Sequence, residues 1–407
     1  MDFLPWLFVA ILAALAGTCL VQYLVSSPLR MSFYLLLIML LIAGIAVLGV
    51  IFFTDKKVFL AFILILVCFV GGYLSATGIF LTRREKRDLP AITRQAGEKG
   101  KGHTAVIYFT HGEPPGYSPL PWLETMREFD QDKVTFIPFL FRPFFFYALR
   151  KEYLKIGGSP HNKIHEYLFR AVQASFSEEE KSRLRFYLAY LDSNPRPDEM
   201  AIHAINDGAD RIILLPVFIT VSSHTLAGLR MVVAHQPNKY GVSFSMAEPL
   251  WNSEQLRQYF LERTNAVRGA SGQEKIGVLL VGHGQPKAWD AIYPTQTLHE
   301  NLYRQGIKEL LVINGYNSEN VLLAWMSFQN PSIGVGLRKL VTNGVDKILV
   351  FSVSISAASL HSEVDVPEAC RKAHIPKNTE VINMGAFGDP FDQLVVGAIR
   401  EKILACR

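Results

Sequence analysis

The first 82 residues of this sequence contain very few charged side chains. Only five of the 41 basic and 36 acidic residues lie there: Asp2, Arg30, Asp55, Lys56 and Lys57. Residues 83–407 have the charge content of an ordinary globular protein. The composition therefore excludes a disordered chain, a collagenous repeat and a disulfide-rich scaffold, and it predicts a membrane segment joined to a globular part.

Cysteine and several motif classes are also lacking. Four cysteines occur, and no two of them form a Cys-x-x-Cys pair: Cys19, Cys68, Cys370 and Cys406. A thiolate zinc site is therefore excluded, and a reducing compartment is expected. The net charge of +5 is modest and no basic stripe alternates with aromatic residues, so we expect no nucleic-acid partner. Walker A, HExxH and GxSxG motifs do not occur in a matching context.

Three apolar runs account for the low charge of the N-terminal segment: Phe3–Val25, Met31–Phe53 and Val58–Leu81. Each exceeds the roughly 20 residues that a helix needs to cross the ~30 Å hydrocarbon core of a bilayer. We therefore predict a three-span anchor over residues 1–82 that contacts the lipid bilayer. A single anchor followed by buried core helices is disfavoured, because the segments between the runs are too short to hold a domain.

Residues 83–102 are polar and basic, and they are predicted to form a linker. Four basic residues directly follow the third span: Arg83, Arg84, Lys86 and Arg87. Because Lys and Arg near span ends favour the cytoplasmic side, the globular part is expected in the cytoplasm.

The globular part contains matched landmarks in the same order. A buried apolar run ends in His-Gly-x-Pro twice, at His111 and at His283. Further on, a glycine closes a predicted helix, and a strand then leads to a second histidine, His224 or His361. An acidic residue followed by proline precedes the last helix in each half. These landmarks predict an internal duplication with lobes at 103–270 and 271–407.

The predicted fold class is α/β, with two similar Rossmann-like lobes. Buried apolar strands that alternate with helices indicate parallel sheets covered by helices on both faces. Ligands of such sheets bind beyond the carboxyl ends of the strands, where all four histidines are expected. Histidine is a common metal ligand and a proton acceptor near neutral pH.

Carboxylates follow only one of these histidines. Glu363 and Asp365 come two and four residues after His361, and a helix would place Asp365 on the face of His361. They are predicted to help hold a metal ion or to orient the imidazole, although carboxylates also favour helix N-termini for electrostatic reasons. His161 and His165 lie four residues apart in an amphipathic pattern, which favours an ordinary helix over a metal site.

Residues 103–404 resemble the metal chelatases that act on tetrapyrroles. The segment Lys155–Pro160 is similar to the Ile-Gly-Gly and Ser-Pro segment of ferrochelatases, and Asp207–Phe218 to a first-lobe stretch of that family. The segment Gly282–Pro286 lies where ferrochelatases have their catalytic histidine, but it resembles the Gly-His-Gly of sirohydrochlorin cobaltochelatases. His361–Pro367 also resembles a cobaltochelatase motif, and ferrochelatases commonly have Glu where His361 stands.

The resemblance implies metal insertion into a tetrapyrrole, with Fe²⁺ or Co²⁺ as the metal substrate. We assign His283, His361 and Glu363 as catalytic, and His283, His361 and Asp365 as metal ligands. His111 and His224 are assigned to an accessory or vestigial site, because the first lobe is expected to offer imidazoles only. The cysteines cannot supply the iron–sulfur cluster of some ferrochelatases, so no tightly bound cofactor is expected.

The anchor separates two candidate substrates. Protoporphyrin is apolar and enters membranes, whereas sirohydrochlorin has many carboxylates and is soluble. Three spans favour insertion of Fe²⁺ into protoporphyrin, as in heme biosynthesis. Insertion of cobalt or iron into sirohydrochlorin, and a tetrapyrrole or metal carrier without catalysis, are the alternatives.

Overall fold

Three long apolar helices form the N-terminal segment of the computed structural model, which describes residues 3–52, 55–134, 137–269 and 272–406. They are α1 (Phe3–Val25), α2 (Pro28–Phe52) and α3 (Asp55–Leu81). All three are long and apolar enough to cross a membrane, as the sequence predicted. The predicted end of the second span, Phe53, lies outside the described residues.

Glycines bring α1 and α3 into close contact. A Cβ atom at Gly17 would lie 2.0 Å from the carbonyl oxygen of Phe69, and one at Gly72 would lie 2.0 Å from that of Ala14. Only glycine permits such an approach of two helix backbones, which is a common way to pack helices in lipid.

Residues 116–158 pack with the three apolar helices and form one compact unit with residues 1–87. This insert contains α4 (Pro119–Gln131), a 3-10 helix (Phe139–Phe141) and α5 (Arg142–Ile156). The lobe boundaries predicted from the sequence had assigned the insert to the first lobe. Its association with the anchor helices depends on contacts between residues that are far apart in the chain.

Polar contacts fasten the insert to the end of α1. The buried Arg150 donates to the carbonyl oxygens of Tyr23 and Ser26, at 2.8 Å each. The Tyr117 hydroxyl donates to the carbonyl oxygen of Val25 at 2.9 Å. The last carbonyls of a helix have no partners within the helix, so the insert supplies donors that α1 needs.

The second compact unit contains residues 88–115 and 159–407 and forms two lobes. The elements of the first lobe are β1 (Thr104–Thr110), α6 (His161–Ala174), α7 (Glu178–Arg183), β2 (Leu184–Tyr190), α8 (Pro197–Asn206), β3 (Arg211–Pro216), α9 (Ser223–Val233), β4 (Ser243–Met246) and α10 (Glu254–Arg268). Short 3-10 helices lie at Pro237–Tyr240 and Leu250–Asn252.

The second lobe repeats this pattern without an insert. Its elements are β5 (Ile276–Gly282), α11 (Lys287–Ile292), α12 (Pro294–Ile313), β6 (Val321–Trp325), α13 (Ile333–Thr342), β7 (Lys347–Ser352), a π-helix (His361–Asp365), α14 (Val366–Lys372), β8 (Glu380–Gly385) and α15 (Gln393–Leu404). Two 3-10 helices lie at Gln273–Lys275 and Ser318–Asn320. The predicted boundary between the lobes, at 270 and 271, lies outside the described residues.

Both sheets are parallel and have the same strand order. The first is β2-β1-β3-β4 and the second is β6-β5-β7-β8, which confirms the predicted pair of similar α/β lobes. In each sheet the second strand along the chain pairs with one side of the first strand, and the third strand pairs with its other side. The carboxyl ends of β1 and β3, and of β5 and β7, therefore form the points where ligands bind in such sheets.

Side chains alternate between the two faces along β1 and β5, and this alternation separates the core into apolar clusters on opposite faces of each sheet. Val106 and Tyr108 of β1 share one apolar cluster with Val278 and Leu280 of β5, so that cluster belongs to both lobes. The side chains between them point to the opposite face of their own sheet, as the two-residue period of a strand requires. The shared core joins the two sheets into one body.

The segment predicted to be a linker is partly held by the first lobe. Arg94 is buried and donates from Nη1 to the carbonyl oxygen of Ala209 at 2.6 Å. The amide of Lys101 donates to the carbonyl oxygen of Gly208 at 2.8 Å. The chain therefore enters β1 along a fixed path.

Candidate active site

The four strand-end histidines lie at the switch points of the two sheets. His111 directly follows β1 and His283 directly follows β5. His224 lies in the first turn of α9, after β3, and His361 begins the π-helix that follows β7. The structure thus places all four at the carboxyl ends of adjacent strands, where the sequence predicted them.

Glycine gives both His-Gly loops their shape. Gly112 and Gly284 have φ values of +81° and +78°, in the left-handed region that L side chains rarely adopt. A Cβ at Gly284 would lie 2.3 Å from the carbonyl oxygen of Ser327, and one at Gly112 would lie 2.5 Å from Cβ of Tyr190. Both glycines are therefore required by conformation and by space.

The histidines form two pairs, one in each lobe. The ring centroids of His111 and His224 are 4.8 Å apart, and those of His283 and His361 are 5.1 Å apart. Burial is the main cause that lowers the pKa of both His224 and His283, and the charge of His111 lowers both further. The pairs of the two lobes are therefore close enough to interact electrostatically.

Burial keeps two of these imidazoles, His283 and His224, neutral. It is the main cause that lowers the pKa of His283 to about 4, with a smaller contribution from the charge of His361. It also lowers the pKa of His224 well below its usual value. A neutral imidazole can accept a proton or bind a metal ion, whereas a protonated one can do neither.

Asp365 orients His361. The Nδ1 atom of His361 lies 2.6 Å from the Asp365 carboxylate, and both side chains are about two-fifths exposed. The predicted i and i+4 pairing is present in a π-helix, a form that often occurs at functional sites. The side chain of Glu363 is exposed and accepts a hydrogen bond from Ser362 Oγ at 3.1 Å.

The two His-Gly histidines share a hydrogen bond at Nδ1 and differ in the contact at Nε2. His283 donates from Nδ1 to the carbonyl oxygen of Gly284 at 2.7 Å, which leaves Nε2 as the acceptor nitrogen of the neutral ring. His361, bonded through Nδ1 to Asp365, has the same tautomer. His111 bonds to the carbonyl oxygen of Gly112 through Nδ1 and lies 3.3 Å from Asp192 through Nε2.

The expectation that the first lobe offers imidazoles only is therefore wrong. Asp192 follows β2, the strand beside β1, so its carboxylate is brought to the same edge of the sheet as His111. That signal was present in the sequence, because carboxyl ends of neighbouring parallel strands meet at one edge.

Two further histidines lie near His111. His161 and His165 of α6 are buried, with ring centroids 4.6 Å apart. Burial, aided by the charge of His111, lowers the pKa of His161 to about 3. His165 contacts the Tyr108 hydroxyl at 2.7 Å and the Ser356 hydroxyl of the other lobe at 3.1 Å. The helix predicted here is confirmed, and its two histidines are polar groups inside the fold.

The second lobe has opposite charges at the corresponding place. Glu300 and Arg304 of α12 are buried, and both approach Gly282, where a Cβ would lie 2.6 Å from Glu300 Oε2 and 2.8 Å from Arg304 Nη1. The amide of Gly284 donates to Glu300 Oε2 at 3.4 Å. The guanidinium of Arg304 lies 3.7 Å from the centre of the Trp325 ring. This pair supports the loop that carries His283.

Among the residues that the structure describes, no group of three or more His, Cys, Asp or Glu side chains is arranged to hold a metal ion. The histidine pairs could each supply two nitrogen ligands. Water or a bound substrate would have to complete the coordination of a metal ion in the cleft.

Comparison with known proteins identifies the family. A family model described as ferrochelatase matches residues 103–384. The solved structure of SirB from Bacillus subtilis with Fe³⁺ is 15% identical, with a TM-score of 0.47, over 74% of this chain and 94% of that one. The structure of CbiX, titled the terminal enzyme for biosynthesis of siroheme in denitrifying bacteria, is 14% identical, with a TM-score of 0.44, over 74% of this chain and 99% of that one. No curated protein sequence matches the chain.

Proposed function

The chain belongs to the ferrochelatase family, and we propose that it inserts Fe²⁺ into protoporphyrin at a membrane. The family model covers residues 103–384, which include all four strand-end histidines. Membership assigns the chain to the metal chelatases of tetrapyrroles, whose reaction is of the lyase type. The choice of iron and of protoporphyrin is our proposal.

Metal insertion makes two chemical demands on the cleft. Two pyrrole N–H protons must leave the macrocycle, and a divalent metal ion must exchange its water ligands for the four nitrogens. The protein therefore needs a proton acceptor and a ligand that presents the metal. Binding energy that bends the macrocycle would help by exposing the nitrogen lone pairs.

The second-lobe pair supports this assignment best. His283 can accept a proton at Nε2, because Nδ1–H is bonded to Gly284 and burial keeps the ring neutral. His361 can present the metal through Nε2, since Asp365 holds Nδ1–H and makes the imidazole a better ligand. The pair of imidazoles at 5.1 Å, both with this tautomer, is the observation that carries the proposal.

The carboxylates have proposed roles beside this pair. Asp365 orients His361 and is a candidate metal ligand on the path into the cleft. Glu363 is proposed to pass protons toward water, because its side chain is exposed and lies on the same π-helix as His361. His111 and His224 form the proposed accessory pair. No tightly bound cofactor is proposed, and the purified protein is expected to lack iron–sulfur absorbance.

Two features support an apolar substrate at a membrane. Three helices are long and apolar enough to span a bilayer. The insert exposes apolar side chains beside them: Phe139, Leu140, Phe141 and Phe144. The Tyr73 hydroxyl donates to the carbonyl oxygen of Leu140 at 2.6 Å, so this apolar segment lies along α3, about two turns before its end.

The test is an insertion assay with purified full-length protein in lipid nanodiscs. Protoporphyrin and sirohydrochlorin are each supplied with Fe²⁺ and with Co²⁺, and a His283→Ala/His361→Ala double variant is the control. We expect turnover of protoporphyrin with Fe²⁺. Turnover of sirohydrochlorin alone would contradict the substrate assignment, and stoichiometric binding without product would indicate a carrier.

The proposed topology has a separate test. The basic cluster at residues 83–87 supports a cytoplasmic location for residues 83–407. A fluorescent reporter fused to the C-terminus is expected to mature in the cytoplasm. Activity of an alkaline phosphatase fused at the same position would place that end outside the cytoplasm and overturn the topology.

A further inference from the structure

Glu113 belongs to the first-lobe His-Gly loop, but its side chain binds to the second lobe. The residue is 4% exposed. Its carboxylate accepts a hydrogen bond from the amide of Leu360, at 3.2 Å to Oε2 and 3.4 Å to Oε1. It also accepts a hydrogen bond from the Ser159 hydroxyl. Glu113 therefore links the loop after β1 to the segment after β7.

The amide of Leu360 has a special position. Leu360 immediately precedes His361 and is the N-cap residue of the π-helix. Its own side chain forms no capping hydrogen bond. The first amides of a helix have no partners within the helix, and a carboxylate is a favourable partner because the N-terminus carries partial positive charge. Glu113 supplies this cap from the opposite lobe.

The backbone of Glu113 is fixed as well. Its amide donates to Asn162 Oδ1 at 2.7 Å, and Asn162 Nδ2 donates to Ser193 Oγ at 2.8 Å. The backbone that carries the carboxylate is thus tied to α6 and, through Asn162, to the segment after β2. A displacement of the first-lobe loop would therefore also displace the start of the helix that carries His361 and Asp365.

Among the described residues, the equivalent side chain of the second lobe forms its hydrogen bonds within its own lobe. Gln285 occupies the matching position after His283-Gly284 and is 1% exposed. Its Nε2 donates to Asp290 Oδ1 at 2.8 Å and to the carbonyl oxygen of Tyr293 at 2.9 Å, both within its own lobe. The link through Glu113 is therefore not a consequence of the duplicated fold, which makes a specific role the better explanation.

We propose that Glu113 is a positioning residue that sets the place of His361 relative to the first lobe. The contact aligns the metal-presenting imidazole with a tetrapyrrole held between the lobes. Its kinetic consequence rests on the proposed chelatase function, whereas the contact itself can be tested without turnover.

The direct test observes the Leu360 amide by NMR in full-length protein. The dipeptide Ser-Leu occurs once in the sequence, at Ser359–Leu360, so ¹³C′-Ser and ¹⁵N-Leu labelling selects this one amide. In Glu113→Ala we expect its signal to shift and its hydrogen exchange to accelerate. In Glu113→Gln both are expected to stay near wild type, because the amide oxygen still accepts from Leu360 and its NH₂ group can donate to Ser159.

Gln285→Ala is the matched control, since it shortens the equivalent side chain without touching Leu360. The Leu360 amide is expected to be unaffected by it. An unchanged amide in Glu113→Ala, or an equal change in Glu113→Ala and Glu113→Gln, would overturn the proposal. Thermal unfolding of each variant identifies one that fails to fold. If Glu113→Ala does so, Glu113→Asp decides the question: its carboxylate is one methylene too short to hold Leu360, so the Leu360 amide should shift and exchange faster, and an unchanged amide would overturn the proposal.

The kinetic test separates positioning from general support. Glu113→Ala is expected to lower kcat about 10-fold, because misplacement of a reacting group slows the chemical step. KM for the tetrapyrrole should change by less than about 3-fold, and Glu113→Gln should restore kcat. A rise in KM with unchanged kcat would contradict positioning of His361. Failure of the wild type to turn over any metal and tetrapyrrole pair would overturn the proposed function, while the Leu360 signal would still decide the contact.

Discussion

The two lobes share a strand order but differ in the polar groups that support their His-Gly loops. These groups lie on α6 and α12, and the two helices can be aligned by their apolar residues. In each helix, the residues seven and eleven positions after His161 or after Glu300 enter the shared core. The corresponding residues are His161 with Glu300, Asn162 with Asn301, and His165 with Arg304. Duplication thus preserved the backbone and the apolar positions, while the buried polar positions diverged.

This divergence gives the lobes different electrostatics. Burial lowers the pKa of His165 well below its usual value, so the first-lobe network is neutral. Burial also raises the pKa of the Glu300 carboxyl, and the charge of Arg304 opposes that shift. Beside its His-Gly loop, α12 of the second lobe therefore places a buried carboxyl and a buried guanidinium, whereas α6 of the first lobe places neutral imidazoles.

Removal of one buried charge should give the largest effect. Arg304→Met removes the charge that opposes the raised pKa of the buried Glu300 carboxyl, together with hydrogen bonds to the carbonyl oxygens of Glu300 and Ala324. Loss of one of two interacting buried charges typically costs about 3–5 kcal/mol of unfolding free energy. His165→Leu in the first lobe removes neutral hydrogen bonds and should cost about 1–3 kcal/mol. Chemical denaturation of both variants measures the difference. The double variant Arg304→Met/Glu300→Gln should recover part of the loss, and equal costs in the two lobes would refute the electrostatic contrast.

Alanine substitutions of the histidines test which lobe performs the chemistry. His283→Ala and His361→Ala are each expected to lower turnover by about 10² or more, the range for loss of a proton-transfer group. His111→Ala and His224→Ala should lower it by less than about 10-fold, because Nε2 of His111 already faces Asp192. Steady-state insertion rates measure all four. Similar losses from both lobes would show that the four imidazoles act together.

The pH dependence follows from the burial of His283. Its pKa is lowered to about 4, so the ring should accept protons throughout the range in which an exposed histidine becomes charged. The acidic limb of kcat/KM is expected near pH 4 to 5, not near the ordinary histidine value of about 6.5. An imidazole NMR titration of His283 checks this independently of the substrate. A midpoint near 6.5 would show that the ring is solvated and would contradict the buried geometry.

The same shift affects stability. Between about pH 6.5 and 4 the unfolded chain binds more protons than the folded chain, because the folded pKa is the lower one. The contribution of His283 to the free energy of unfolding should therefore be fully present above that window, and it should decrease as the pH falls through it. His161 should contribute in the same direction, since its pKa is about 3.

The features that depend on residues close together in the chain could be predicted from the sequence. The apolar runs, the buried strands and the His-Gly turns follow from composition, periodicity and the need for glycine at positive φ. The hydrogen bond between His361 and Asp365 was also predictable, because it needs only helical spacing. These features involve residues close together in the chain.

The remaining features depend on contacts between distant residues. Nothing near Arg150 in the sequence indicates that its guanidinium binds carbonyl oxygens at the end of α1. In the same way, the contact of Glu113 with Leu360 requires both lobes to be in place. The amphipathic pattern of α6 predicted the helix correctly, but it could not show that His165 enters a hydrogen-bonded network across the lobes.

The smallest effect is expected in the insert at residues 116–158, which interrupts the sequence of the first lobe but packs with the anchor helices. Arg150→Ala removes two hydrogen bonds to α1 and the stacking of the guanidinium 5.6 Å from the Tyr23 ring. It should destabilise this contact by about 1–3 kcal/mol. Hydrogen–deuterium exchange of α5 should become faster while that of the two sheets stays unchanged, because the lost partners all belong to the unit of the anchor helices.

Leu154→Ala on the same helix is the matched control, since Leu154 is 55% exposed and its substitution should alter neither region. Faster exchange in the sheets as well would mean that the insert stabilises the lobes, and the two lobes could then no longer be compared as independent copies of one fold.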